Sequence, residues 1–397
     1  MLASVRIRHD SRVQRAAYVA SSCGPTTIFT IDDGSSPFGS NQNLTHECVS
    51  VPGTRSSPSS GSSASKPRGR SRWLRKALAV FSAFRPIVRM AWFNAVVLKR
   101  VASLRPRIVY CHDVDTLPAG LACQLLFGSA VIYDSHEYWP DKTHIGQLVK
   151  LRSTTFSLIE WVALRRVDAM IVVSDTIADL YRARFRKTPA VSVVRNIPTS
   201  VAKVEAVGQP GRRLAMVGAI TQFRGIELAV DSLTLLPEAT LMVVGPCSNP
   251  SYREGLIEKI RILGIEDRVS LRDPVDPSEL LDFLVQNADI SLILIEGVST
   301  SYQNALPNKF FESIAAGVPV VVSNLPQLAE ITDKYRCGLV LRESSPTALA
   351  EHIVSAFDDL QALRHGVAVA QRDLDGEGDR TDLATLISDL AIEEKVS

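Results

Sequence analysis

One segment of the chain has the residue types and spacing to handle a phosphorylated, hydroxylated ligand: Asn304-Ala-Leu-Pro-Asn-Lys-Phe-Phe-Glu-Ser-Ile-Ala-Ala-Gly-Val-Pro-Val-Val-Val-Ser. A polar loop ends at Pro307, Asn308 can cap a helix, and Gly317 stops that helix before a buried strand. The unpaired N–H groups and positive dipole at such a helix start suit a phosphate. Lys309 in the first turn opposes the dipole, a local cost that makes sense if it meets an anion. Glu312, one turn further, can accept hydrogen bonds from a ribose diol. An ordinary strand–helix unit with a surface Lys and Glu is the plainer alternative.

A second segment, Met216-Val-Gly-Ala-Ile-Thr-Gln-Phe-Arg-Gly-Ile-Glu, reads as strand, Gly218 turn, then Arg224-Gly225 at a helix start. An arginine held there can chelate a diphosphate bidentately. The third is Tyr110-Cys-His-Asp-Val-Asp-Thr-Leu-Pro-Ala-Gly, with His112 just past a buried strand, where open α/β sheets place their ligands. The next strand ends in Asp134-Ser-His-Glu-Tyr-Trp, which puts His136 and Glu137 on the same sheet edge as His112 and Asp113. Either histidine can instead be a structural hydrogen bonder. Asp113 and Asp115 form an Asp-x-Asp pair without a supporting ligand pattern, so no metal is expected.

The elements that must position these residues are short apolar strands alternating with amphipathic helices. Strands are expected at Thr26–Ile31, Ile108–Cys111, Ala130–Tyr133, Ala169–Val173 and Val191–Val194, then at Leu214–Val217, Thr240–Val244, Arg268–Leu271, Ile290–Ile295 and Val318–Ser323. That alternation predicts parallel sheets covered on both faces, so the fold class is α/β with two doubly wound Rossmann-like domains. Residues 1–197 form the first domain and 212–375 the second. Residues 198–211 are the linker, and 376–397 a helical tail. At 397 residues, two domains is the default expectation.

The chain is 46% hydrophobic and 22% charged, which excludes wholesale disorder and fibrous classes. Six scattered cysteines, with no Cys-x-x-Cys pair, read as reduced thiols. No secretory leader and no run of 18 uncharged apolar residues is found, so a cytoplasmic protein is expected. Thirteen Lys or Arg and no acid lie between Glu47 and Asp113, although the whole chain nets only +2. A basic insert in an otherwise acidic chain points to an anionic partner. Overlapping its start, 34–71 is Ser-rich and expected to be a disordered loop. Residues 72–105 form a basic amphipathic segment, expected as a helix pair on an anionic membrane surface through Arg75, Lys76, Arg85 and Arg89, with Trp73, Phe81, Phe84, Trp92 and Phe93 inserted. The alternative is that the apolar face packs on the domain's own sheet. No aromatic-basic recognition motif accompanies the charge, so nucleic acid is not expected.

The order His-Asp (112–113), Asp-Ser-His-Glu (134–137), Val-Ser-Asp (173–175), Arg-Asn-Ile-Pro (195–198), Gly-x5-Arg-Gly (218–225), Leu-Pro-Asn-Lys-Phe-Phe-Glu (306–312) and Ala-Gly-Val-Pro-Val-Val (316–321) resembles the family-4 retaining glycosyltransferases of the GT-B fold. The resemblance covers nearly the whole chain outside the Ser-rich tract. It implies two domains facing a cleft, a nucleotide-sugar donor held mainly by the second domain, and an acceptor held mainly by the first. Arg224 matches the basic residue that holds the donor diphosphate, with Lys309 assisting. Glu312 matches the second glutamate of the family's Glu-x7-Glu motif, which contacts the ribose, and His112 matches the histidine near the transferred sugar. Such enzymes need neither metal nor cofactor, because Arg, Lys and a helix dipole stabilise the leaving diphosphate. The implied activity moves a hexose-type sugar to a lipid-linked or polysaccharide acceptor, with retention, at the inner membrane face.

Three departures from the family pattern stand out. Asn304 occupies the place of the first glutamate, which in many members touches the sugar and is counted here with His112 as catalytic. Ala219-Ile220 replaces the usual Arg after the glycine turn. His9–Ala16 resembles the helix that follows the first strand, and Met1–Arg8 is expected to be too short for that strand and its glycine loop. A catalytically impaired GT-B-like binding protein is therefore the main alternative, with a nucleotide-sugar epimerase behind it. A dehydrogenase is disfavoured because no Gly-x-Gly-x-x-Gly follows a first strand.

Overall fold

The computed structural model describes the chain except residues 6, 8–9, 32–36, 40, 52–71, 142–146, 186–187, 203–210 and 393–397, and except the side chains of 72–84 and 147–153. The expected linker falls partly outside the described residues, as do most of the Ser-rich tract and the side chains of Trp73, Arg75, Lys76, Phe81 and Phe84. The chain divides into two compact units, Met1–Val194 with Arg380–Ser397, and Arg195–Asp379.

The first unit runs β1 (Leu2–Ala3), α1 (Ser11–Cys23), β2 (Thr26–Ile31), β3 (Leu44–Val49), α2 (Arg72–Leu104), β4 (Ile108–His112), α3 (Leu117–Phe127), β5 (Ala130–Ser135), α4 (Gln147–Ala163), β6 (Ala169–Val172), α5 (Asp175–Arg184) and β7 (Ala190–Val193). Its seven strands lie in the order β3-β2-β1-β4-β5-β6-β7 with every pairing parallel. Strands β5 and β6 are buried along their whole length, which is why they read as continuous apolar runs rather than alternating ones.

The second unit runs β8 (Arg213–Val217), α6 (Ile226–Ser232), β9 (Thr240–Val244), α7 (Pro250–Ile262), β10 (Val269–Arg272), α8 (Leu280–Asn287), β11 (Ile290–Ile293), α9 (Thr300–Gln303), α10 (Asn308–Ala315), β12 (Val320–Ser323), α11 (Pro326–Tyr335), β13 (Gly338–Leu341), α12 (Pro346–Asp358) and α13 (Leu360–Asp373). The six strands lie in the order β10-β9-β8-β11-β12-β13, again all parallel. A final helix, α14 (Glu377–Ile392), returns to the first unit, where Leu383 and Ile387 are buried with Ala16 and Ala20 of α1 and with Ile132 and Ile171 of its sheet.

Four expectations need correction. The first strand is present: Leu2 and Ala3 are buried at the centre of the first sheet, Leu2 paired with both Phe29 and Cys111. Two residues suffice because the strand is hydrogen-bonded on both sides, and Asp10 then starts α1 by accepting from the Val13 N–H at 3.1 Å. The tract expected to be disordered from 34 to 71 contains the edge strand β3, in register from Thr26↔Leu44 to Ile31↔Val49, with Leu44 and Val49 buried. The expected helix pair is one helix of 33 residues containing Pro86. Phe93, expected in a membrane, is buried in the domain core with Val97 and Val101, a single stripe at helical spacing. Trp92, one residue earlier, faces outward and donates its indole N–H to the Ser50 carbonyl at 3.2 Å.

Candidate active site

In the first unit the carboxyl ends of β4 and β5 bring His112, Asp113, Asp134, His136 and Glu137 onto one edge. Asp134 is the hub. Its buried carboxylate accepts from Arg12 of α1 through Nη2 at 2.5 Å and Nε at 3.2 Å, and from the Tyr110 hydroxyl at 2.9 Å. His112 Nδ1 lies 3.3 Å and His136 Nε2 3.6 Å from the same carboxylate oxygen. Burial works against the Asp134 charge, but Arg12 and His136 outweigh it and hold the carboxyl well below its usual range.

Asp113 completes the cluster from a strained backbone, with φ 60° and ψ 165°, a region that side-chain-bearing residues rarely occupy. The strain is held by its N–H donating to the Asp134 carbonyl at 2.9 Å and by the Thr116 hydroxyl bonding the carbonyls of His112 and Asp113. One carboxylate oxygen accepts from the His136 backbone N–H and the Trp139 indole, each at 3.3 Å, and the other lies 3.4 Å from His136 Nδ1. Burial disfavours charge on His136, yet Asp113 and Asp134 prevail and raise its pKa to about 9. Burial lowers the pKa of His112 instead, so the pair is one imidazolium beside one neutral ring. His112 Nε2 is buried with no hydrogen-bond partner among the described residues, which leaves that nitrogen for a ligand.

His112, Asp134 and His136 form the one group among the described residues whose metal-ligating atoms lie within 4.8 Å of one another. The chemistry of this set suits a hydrogen-bonded charge cluster: Arg12 and the His136 imidazolium already balance the carboxylate, and a metal ion would have to displace that imidazolium.

The second unit gathers the other set. Helix α10 begins after Pro307 with no side-chain cap, a correction to the expected Asn308 cap, so its first N–H groups have no capping side chain. Lys309 Nζ donates to Glu312 at 2.8 Å, and Glu312 is buried. The Lys309 side chain runs over Gly218: a Cβ there would lie 3.6 Å from its Cε. The turns after β8 and β9 press together closely enough that a Cβ on Gly245 would fall 1.8 Å from the Gly218 carbonyl oxygen. Phe223, with φ 65°, and Gly225, with φ 64°, bend the chain on either side of Arg224. The Arg224 guanidinium stands 5.5 Å from the Tyr302 ring centroid, and its Nε is buried without a hydrogen-bond partner among the described residues. Asn304, two residues after Tyr302, donates to the Thr300 carbonyl at 2.8 Å. Arg224, Lys309, Glu312 and Asn304 therefore all come from the β8–α6 loop and the α9–α10 stretch.

Residues 211–359 match the family "Glycosyl transferases group 1", and residues 45–197 match "Glycosyltransferase Family 4". The chain belongs to the group 1, family 4 glycosyltransferases. This glycosyltransferase is 23% identical to a glycogen synthase from Mycobacterium tuberculosis over 74% of its own length and 70% of that protein. Among solved structures it is similar to sucrose-phosphate synthase from Thermosynechococcus elongatus, with TM-score 0.70, 16% identity and 98% of both chains covered. It is also similar to HepE from Anabaena, solved with UDP-glucose, with TM-score 0.69, 14% identity and 98% of both chains covered. These likenesses show that its fold is GT-B.

Sequence reasoning missed Arg12, Asp134 as a hub, Tyr302 and the strain at Asp113. An arginine on the inward face of α1, among Val13, Ala16 and Ala17, was the available signal for the first.

Proposed function

We propose that this glycosyltransferase moves a hexose-type sugar, with retention and without a metal, from a nucleotide-sugar to a lipid-linked or polysaccharide acceptor. The observation that carries the reading is the second-unit cluster: a helix start with no capping side chain, Lys309 fixed by Glu312, and Arg224 without a carboxylate partner among the described residues. That is a cationic cradle for a diphosphate, with a buried carboxylate nearby to accept from a ribose diol. When the glycosidic bond breaks, negative charge grows on the leaving diphosphate, and Arg224, Lys309 and the α10 dipole stabilise it. The neutral ring of His112 offers Nε2 to a hydroxyl of the transferred sugar, and Asn304 offers a carboxamide where a carboxylate is common in the family. Retention rests on the family resemblance. The experiment is a transfer assay with UDP-, GDP-, ADP- and dTDP-sugars, following nucleotide release with and without acceptor; release from none of them sinks the reading.

An anionic membrane face as the place of action is supported by α2. Asn94 accepts from the Ala119 N–H at 2.8 Å and donates to the Asp115 carbonyl at 2.7 Å, so it caps the first turn of α3 from outside. That places Asn94 beside the turn that leads from β4 into α3, with the earlier part of α2 preceding it along the same helix. Arg85 and Arg89 lie on that stretch. The layer α2–α3–α4 contains one acid, Glu160, and it is buried, while Val88, Trp92, Leu158, Trp161 and Val162 are exposed. Among the described residues no helix is long and apolar enough to cross a membrane, which fits adsorption rather than spanning.

A further inference from the structure

A polar cluster lies beneath the turn that carries His136 and Glu137, and none of the steps above uses it. Glu160 of α4, Tyr133 and Ser135 of β5 and Tyr181 of α5 are all fully buried. One carboxyl oxygen of Glu160 accepts from the Tyr133 hydroxyl at 2.7 Å and from the Tyr181 hydroxyl at 2.5 Å. The Ser135 hydroxyl lies 3.2 Å from the Tyr133 hydroxyl and 3.1 Å from that of Tyr181, and it donates to the Glu137 carbonyl at 2.8 Å. Tyr181 reaches the same carbonyl at 3.5 Å. One strand, through Ser135, and one helix, through Tyr181, thus meet on one carbonyl of one turn, and Glu160 of α4 acts on it only through their hydroxyls.

The cluster is expensive as core filling. The second oxygen of Glu160 is buried with no partner among the described residues. An acid placed so is destabilising as an anion, and burial pushes its pKa up to about 7 even though two hydroxyls stabilise the charge. Phenylalanines in place of the two tyrosines together with an apolar side chain in place of Glu160 would fill the same space at less cost. What an apolar side chain lacks is the ability to orient two tyrosine hydroxyls at once.

We propose that Glu160 is a positioning residue: through Tyr181, Tyr133 and Ser135 it fixes the Glu137 carbonyl, and with it the His136 ring against His112. Its effect on turnover rests on the sugar-transfer reading, but its effect on His136 does not. The test therefore reads His136 directly, by NMR titration of labelled histidine in the full chain. His136 in the unaltered protein is expected to titrate well above the ordinary value, with its pKa raised to about 9 by Asp113 and Asp134. Tyr181→Phe changes no charge, and Glu160→Leu removes the carboxyl; each should let the ring drift from Asp113 and Asp134 and lower its titration by about one unit or more, toward the ordinary value near 6.5. Glu160→Gln keeps an oxygen for both hydroxyls and should hold His136 close to its original value. If Glu160→Leu does not fold, Tyr181→Phe and Glu160→Gln decide between them. Unchanged His136 titration in folded Tyr181→Phe overturns the proposal. A lowered His136 titration together with about a tenfold fall in kcat and an unchanged donor KM supports both levels. A lowered titration with kcat unchanged supports the clamp and refutes a role for this turn in transfer.

Discussion

His136 Nε2 lies 3.4 Å from Nδ1 of His112, with Asp134 beneath both rings and Asp113 on the far side of His136. The two histidines come from the ends of adjacent strands in register His112↔Asp134, so the contact follows from sheet pairing. Because one ring is an imidazolium and the other neutral, their protonation states are set together. The free Nε2 of His112 is the atom this arrangement presents to a ligand.

His112→Ala should therefore depress transfer strongly, by about a hundredfold, while nucleotide affinity in the second unit stays nearly intact. Calorimetry with the nucleotide and steady-state transfer rates check the two halves separately. Equal loss of nucleotide affinity would make His112 a structural residue.

Stability should fall on the alkaline side of neutrality through His136. Its folded pKa of about 9 exceeds the ordinary value near 6.5, so its contribution is complete below about 6.5 and is lost as pH rises through 9. The loss is on the order of 3 kcal/mol over that window. Glu160, raised by burial to about 7, favours folding at lower pH in the same sense, but its loss is finished by about that pH. Asp134, held low by Arg12 and His136 against its burial, acts in the opposite direction and loses its contribution only in strong acid. Urea melts across pH 6 to 10 should show the alkaline decline, and His136→Asn should flatten it above about pH 7. A decline of the same size in that variant would assign it elsewhere.

Arg224→Ala removes a cation that has no carboxylate partner among the described residues, and turnover should drop by on the order of a hundredfold or more. Lys309→Ala should cost less affinity than Arg224→Ala, because Lys309 already shares its charge with Glu312 at 2.8 Å. Survival of both rate and nucleotide affinity in the two variants would overturn the donor assignment.

Binding to vesicles should need anionic lipid and weaken with salt, since each Lys or Arg near such a surface contributes about 1 kcal/mol. Co-sedimentation of the full chain should fall on changing Arg75, Lys76, Arg85 and Arg89 to Glu, and fall further with Trp92→Ser. Phe93→Ser should instead unfold the first unit, because Phe93 is 1% exposed in its core. Equal partitioning onto neutral and anionic vesicles would rule the membrane reading out.

The amino-acid sequence by itself determined the alternating parallel architecture and named the candidate residues that gather in the second unit. Apolar runs, helix starts and stops and the Lys309–Glu312 spacing are local features, legible within one turn or one strand. It also showed that α2 is basic and amphipathic. Which way α2 faces was decided by tertiary packing, because a stripe of Phe93, Val97 and Val101 fits a core and a bilayer equally well until a sheet lies beneath it. The two-residue strand β1 has no periodicity to detect and exists only because β2 and β4 flank it. The Asp134 hub joins Arg12 to a carboxylate 122 positions away, and Glu160 meets Tyr133 across 27. Such polar partners are chosen by sheet register and helix docking. The electrostatics of the first-unit site, including which histidine carries the charge, thus came into being only when the chain folded.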